Sequence, residues 1–133
     1  MKKLLLDTHT LLWSIGKSNE LSSIAVDYIS DSRNEVFVSA VSLWEIALKY
    51  SIGKLVLDFD VNEIPELCSR MAFSLLPIDP LEALGCLKLP NKENHKDPFD
   101  RMLIYQCIRN GYTLISKDSK MKLYKNDGLN CIW

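Results

Sequence analysis

Residues 3–7, Lys3-Leu4-Leu5-Leu6-Asp7, decide the fold. Three leucines in succession show no polar alternation, which reads as a short strand buried in a sheet, and the run ends in a carboxylate. Working outward, residues 8–15 read as a helix. A second helix, about 22–32, opens after Leu21-Ser22-Ser23 with a serine cap. Val36-Phe37-Val38 reads as the second strand. From Ser42, apolar residues at Leu43, Ile46, Ala47 and Tyr50 form a helical stripe that stops near Gly53.

The pattern continues to the end of the chain. A helix is expected over about 62–72, and Ser74-Leu75-Leu76 is a third strand closed by Pro77 and Pro80. A short helix around 80–87 precedes the polar stretch Pro90–Lys96. Asp97-Pro98 is a helix-start signature for residues 98–110, with glycine at the C-cap in Asn110-Gly111. A strand at 113–116, a short helix from about 119 and a last strand at 130–132 complete the reading. Strands alternating with helices throughout indicate an α/β fold, in one domain spanning 1–133, with a parallel sheet covered on both faces. In such sheets ligands bind beyond the carboxyl ends of the strands, near the point where strand order reverses.

Composition narrows the class. At 133 residues, 47% hydrophobic and 25% charged, the chain has the balance of a globular domain rather than a disordered one. No apolar run approaches the roughly 18–20 residues that span a bilayer. The N-terminal apolar stretch is interrupted at once by Asp7, Thr8 and His9, unlike a signal peptide. Cys68, Cys86, Cys107 and Cys131 are widely spaced and read as buried free thiols in a reducing, cytoplasmic compartment. The net charge is −1, yet residues 88–125 hold nine Lys/Arg against four Asp/Glu. That basic segment offers an anionic polymer somewhere to lie, although on charge alone a solvated lysine-rich face is the favoured reading.

Asp7 ends the first strand, Glu45 lies in the first turn of the helix after the second, and Asp118 follows the fourth. Asp100 joins them if the loop over 90–97 brings its helix start to the same edge. Each acid also has a local reading. Ser42-Leu43-Trp44-Glu45 matches a capping box, Asp97-Pro98-Phe99-Asp100 a sound helix start, and Asp7 and Asp118 can cap the helices that follow them. For four acids at one sheet edge, capping alone is the weaker account. Clustered carboxylates repel one another unless some take up protons or a hard divalent ion joins them. Such an ion activates water and stabilises charge on a phosphoryl oxygen, so the chemistry that follows is phosphodiester hydrolysis.

Four segments carry a wider likeness: Leu4-Leu5-Leu6-Asp7-Thr8-His9-Thr10-Leu11-Leu12-Trp13, Val38-Ser39-Ala40-Val41-Ser42-Leu43-Trp44-Glu45-Ile46-Ala47, His95-Lys96-Asp97-Pro98-Phe99-Asp100-Arg101-Met102-Leu103-Ile104 and Leu114-Ile115-Ser116-Lys117-Asp118. In order and spacing the chain resembles PIN-domain ribonucleases, and within them the VapC-like toxins of VapBC-type toxin–antitoxin pairs. The resemblance implies a Rossmann-like three-layer α/β/α sandwich around a parallel sheet of about five strands. It also implies Mg²⁺- or Mn²⁺-dependent endoribonuclease activity, homodimerisation and inhibition by a cognate antitoxin. On this likeness Asp7, Glu45, Asp100 and Asp118 take the metal-site positions, with Asp97 either an outer carboxylate or the N-cap of its helix.

Around these acids, Ser39 and Ser116 fall near strand ends, where hydroxyls position a water or simply cap a helix. Arg101 and Lys117 adjoin the proposed ligands and either meet phosphates or pair with spare carboxylates. Lys96, Lys120 and Lys122 are further phosphate candidates. His9 and His95 are single histidines without zinc-site spacing. Three other readings stay open: an RNA-processing nuclease with no toxin role, a phosphatase-like hydrolase, and an interaction domain whose acids are all caps.

Overall fold

The computed structural model describes residues 1–133. Strand β1 (Lys3–Leu6) divides its leucines between two cores. Leu4 and Leu6 pack with Leu11, Val36, Val38, Ile46 and Ile115, while Leu5 packs with Leu103, Leu114, Met121 and Tyr124. All three leucines are fully buried, as a strand with side chains alternating between two covered faces requires.

Strands β2 (Glu35–Ser39), β3 (Ser74–Leu76), β4 (Thr113–Ile115) and β5 (Asn130–Ile132) complete a five-stranded sheet in the order β3-β2-β1-β4-β5. Every pairing is parallel. The chain winds outward from β1 in both directions, so strand order reverses at β1 and β4. Helices α1 (Thr8–Gly16), α2 (Ser23–Ser30) and α4 (Ile64–Arg70) cover one face, with Ile46 of α3 (Ala40–Ser51). Helix α6 (Pro98–Asn110) and a 3₁₀ helix over Ser119–Asp127 cover the other, with α5 (Pro80–Gly85) beside α6. The expected three-layer α/β/α architecture is the one observed.

Local signals set most boundaries. Ser22 caps α2 through Ala25 N, and Asp97 caps α6 through Asp100 N with Pro98 at the first helical position. Gly111 closes α6 at φ 71°, a left-handed conformation that glycine adopts without penalty. One expectation fails. Ser42 and Glu45 form no capping box, because α3 starts three residues earlier and Ser39 is its N-cap, accepting from Val41 N at 3.1 Å. Glu45 therefore lies in the second turn, with its side chain free for other partners. A true capping box sits at Asp79 and Glu82, opening α5. The thiols also divide: Cys68 and Cys107 are buried, Cys86 is half-buried, and Cys131 is exposed because β5 is a short edge strand. No helix is long and apolar enough to cross a membrane.

Candidate active site at the carboxyl edge of the sheet

Strand register places the site. Leu6 pairs with Val38 on one side and with Ile115 on the other. The next residues along the three central strands are Asp7, Ser39 and Ser116, which therefore share one level at the carboxyl edge. All three are buried.

Asp7 is held there twice: its amide donates to Ile115 O at 3.2 Å, and its Oδ1 accepts from Thr10 N at 2.9 Å to cap α1. Glu45 reaches the same edge from α3 and is 4% exposed. Its Oε1 accepts from Thr8 Oγ1 at 2.5 Å, and its Oε2 forms an ion pair with Lys49 one turn along. That carboxylate raises the Lys49 pKa by its hydrogen bond; burial opposes, and the charges of Glu45, Asp97 and Asp100 add to the rise. Lys49 thus feels three acids at once.

Asp100 and Asp118 arrive from the other side. Asp118 follows β4 and opens the 3₁₀ helix, its Oδ1 accepting from Lys120 N at 2.9 Å and its amide donating to Ser116 Oγ at 3.1 Å. The loop before α6 does bring Asp100 to this edge: ligand atoms of His95, Asp100 and Asp118 lie within 4.8 Å of one another. His95 Nε2 sits 3.3 Å from Asp100 Oδ2. Burial pushes the Asp100 carboxyl up to about 6, and the charge on Asp97 adds to this; the His95 hydrogen bond works against it. Glu45 contributes a further rise, so the two sides of the edge are within electrostatic reach. Asp7 and Asp118 are linked in the same indirect way, since both their charges raise the Cys131 thiol after burial.

The neighbouring candidates separate into different surroundings. Ser39 is fully buried, its Oγ donating to Gln106 Oε1 at 2.7 Å, so it ties α3 to α6. Arg101 pairs with no acid of the cluster: it donates to Leu89 O, Pro90 O and Tyr124 Oη. Lys117 lies over the Trp13 ring, 5.9 Å from its centre. Lys96, Lys120 and Lys122 are exposed. Asp97 spends Oδ1 on the α6 cap. Three further participants stand beside the four acids. Thr8 and Lys49 follow from the inward turn of Glu45, and His95 is buried against Asp100 rather than free. A histidine five residues before Asp100 becomes informative only once the intervening loop is seen to fold back.

Acids carried by four elements at the switch-point edge of a parallel sheet, with Asp100 and Asp118 brought close together, point to the α/β nuclease class. The chain belongs to the PIN domain family, whose model matches residues 4–127. It is 25% identical to Ribonuclease VapC22 of Mycobacterium tuberculosis over 134 residues, covering the whole of both chains. Among solved structures, VapBC-1 from nontypeable Haemophilus influenzae superposes with a TM-score of 0.70 at 17% identity, covering 98% of this chain and 96% of the other. The DNA-bound VapBC of Salmonella typhimurium gives 0.66 at 18% identity, covering 99% and 98%. At these identities the structures speak for the fold.

Proposed function

We propose that the protein is a Mg²⁺- or Mn²⁺-dependent endoribonuclease acting as the toxin of a type II toxin–antitoxin pair. The observation that carries this reading is the approach of Asp100 and Asp118 at the sheet edge that also bears Asp7 and Glu45. The donor set fits a hard divalent cation: it is carboxylate-rich, and the Asp100 carboxyl is held up near 6 by burial and by neighbouring negative charge. Asp7, Glu45, Asp100 and Asp118 are the residues that would hold the ion, with Mn²⁺ as the alternative occupant. When bound, the ion supplies a water activated for attack and stabilisation of charge on the phosphoryl oxygens.

The chain's own residues set the geometry. The Thr10 amide and the Ile115 carbonyl fix Asp7, and Thr8 with Lys49 fixes Glu45. Lys96, Lys117 and Lys120, next to His95, Ser116 and Asp118, are exposed cations suited to RNA phosphates, whereas Lys122 shares a cleft with Lys2, Thr113 and Asn130 at the amino ends of the strands. The toxin role places the protein in the cytoplasm with a cognate antitoxin and a second copy of itself as partners. Exposed Leu81, Leu84 and Leu87, at 70%, 71% and 85%, provide apolar surface that such partners would cover.

The test is cleavage of a pooled structured RNA by partner-free protein, with and without Mg²⁺ or Mn²⁺, beside Asp7→Asn and Asp100→Asn. Metal-dependent cutting, reduced about 10³-fold or more in each folded variant, is the expected result. Folded wild type that neither cuts nor binds a divalent ion would return the acids to a capping role.

A further inference from the structure

The proposed reaction gives no task to His95, although its side chain is only 2% exposed and rests against Asp100. Its surroundings determine where its proton sits. Arg101 Nη1 donates to Tyr124 Oη at 3.1 Å, and a guanidinium has donors only. Tyr124 is fully buried, so its hydroxyl proton needs an acceptor inside the protein. That acceptor is His95 Nδ1, 2.8 Å away. A ring nitrogen that accepts carries no proton, so the neutral imidazole keeps its proton on Nε2 and donates to Asp100 Oδ2 at 3.3 Å. Two further contacts hold Arg101 in place, from Nη1 to Pro90 O at 2.9 Å and from Nη2 to Leu89 O at 3.0 Å. Lys92, paired with Asp127 at 2.9 Å, closes over the Tyr124 ring.

We propose that Arg101 and Tyr124 lock His95 in the Nε2–H tautomer, and that His95 thereby orients Asp100, holding Oδ2 and leaving Oδ1 for the divalent cation. His95 is then a positioning residue. Although a ring nitrogen of His95 lies within 4.8 Å of carboxylate oxygens of Asp100 and Asp118, the locked tautomer leaves Nε2 without the lone pair that ligation needs and commits the one on Nδ1 to Tyr124. A donor of this kind behind a metal carboxylate fixes the ligand's direction before the ion arrives. The tautomer follows from the hydrogen bonds alone; the consequence for the cation rests on reading Asp100 as a ligand.

The experiment has two arms on the full chain. In the first, the metal-free protein labelled with ¹⁵N-histidine is examined by long-range ¹H–¹⁵N correlation under mildly alkaline conditions, with His9→Gln assigning the second of the two histidines. The expected signature is a protonated Nε2 and a bare Nδ1 on His95, giving way to mixed tautomers in Tyr124→Phe. A proton on Nδ1 in the wild type overturns the proposal. In the second arm, Mn²⁺ binding is measured by calorimetry. His95→Ala is expected to weaken it about 10–100-fold, and His95→Gln, whose amide N–H can reach Asp100, to recover most of the loss. Tyr124→Phe, which keeps the ring packing, serves in place of His95→Ala if that variant does not fold. Wild-type affinity in His95→Ala or its substitute, with Asp100→Asn impaired, overturns the positioning role. Unchanged binding in Asp100→Asn overturns instead the assignment of Asp100 as a ligand, and with it the cation half of the proposal.

Discussion

Glu45 and Asp100 stand on opposite sides of the same sheet edge and are balanced by different means. Glu45 has a protein cation of its own, Lys49, and a hydroxyl from Thr8, so its charge is met within the fold. Asp100 has only the His95 ring nitrogen at one oxygen and a second acid, Asp97, three residues away. The fold satisfies the first carboxylate and leaves the second short of positive charge. On the proposed reading, the cation shared by the four acids supplies the positive charge that the Asp100 side lacks.

The largest effect that can break this comparison is the pH response of chelator-treated protein. A carboxyl raised from 3.8 to about 6 binds its proton more tightly in the folded chain than in the unfolded one. Its stabilisation is present below the ordinary value and is lost as pH rises from about 4 through 6, amounting to roughly 2–3 kcal/mol. Urea unfolding of wild type minus Asp100→Asn, measured across that window, is expected to isolate this slope from the other acids. Saturating Mg²⁺ should flatten it. A difference that does not change with pH would show Asp100 to be as well compensated as Glu45.

Lys49→Met tests the other side. It strands a buried Glu45 and is expected to cost roughly 1–3 kcal/mol in the metal-free state, below the cost for a fully enclosed pair because Lys49 is 38% exposed. Added Mn²⁺ should restore part of that loss, since the ion replaces the missing ammonium; thermal melts with and without metal measure both. A smaller effect separates capping from ligation at Asp7. Asp7→Ala loses the α1 cap and about 0.5–2 kcal/mol, whereas Asp7→Asn keeps the cap and loses only cleavage. The smallest is Asp97→Asn, where the amide oxygen still caps α6 and stability should stay within about 0.5 kcal/mol of wild type. Cleavage falling there as far as in Asp100→Asn would move Asp97 into the metal site.

What the sequence made legible tracks how local each determinant is. Leu4-Leu5-Leu6, the Ser22 and Asp97 caps and the Gly111 stop act within a few residues, and the elements they specify appear where the patterns put them. Ser42-Leu43-Trp44-Glu45 misled because Ser39, at the end of β2, caps the helix first and leaves Glu45 to turn inward. The sheet-edge level shared by Asp7, Ser39 and Ser116 follows from strand order, which alternation alone does not number. His95 was opaque for a different reason: its meaning comes from Tyr124 and Arg101, which meet it only after the 90–97 loop has closed on α6.

The place of β1 at the centre of the sheet also governs when the protein becomes active during synthesis. Its first strand must wait for β4, more than a hundred residues later, before Asp7 can hydrogen-bond to Ile115, and Asp118 lies beyond even that point. Contacts of such sequence separation form late. A ribosome-bound nascent chain can fold its early helices yet cannot assemble the acidic edge until β4 and Asp118 have emerged. For a chain that cuts RNA, this topology keeps the blade in pieces until its last acid is made.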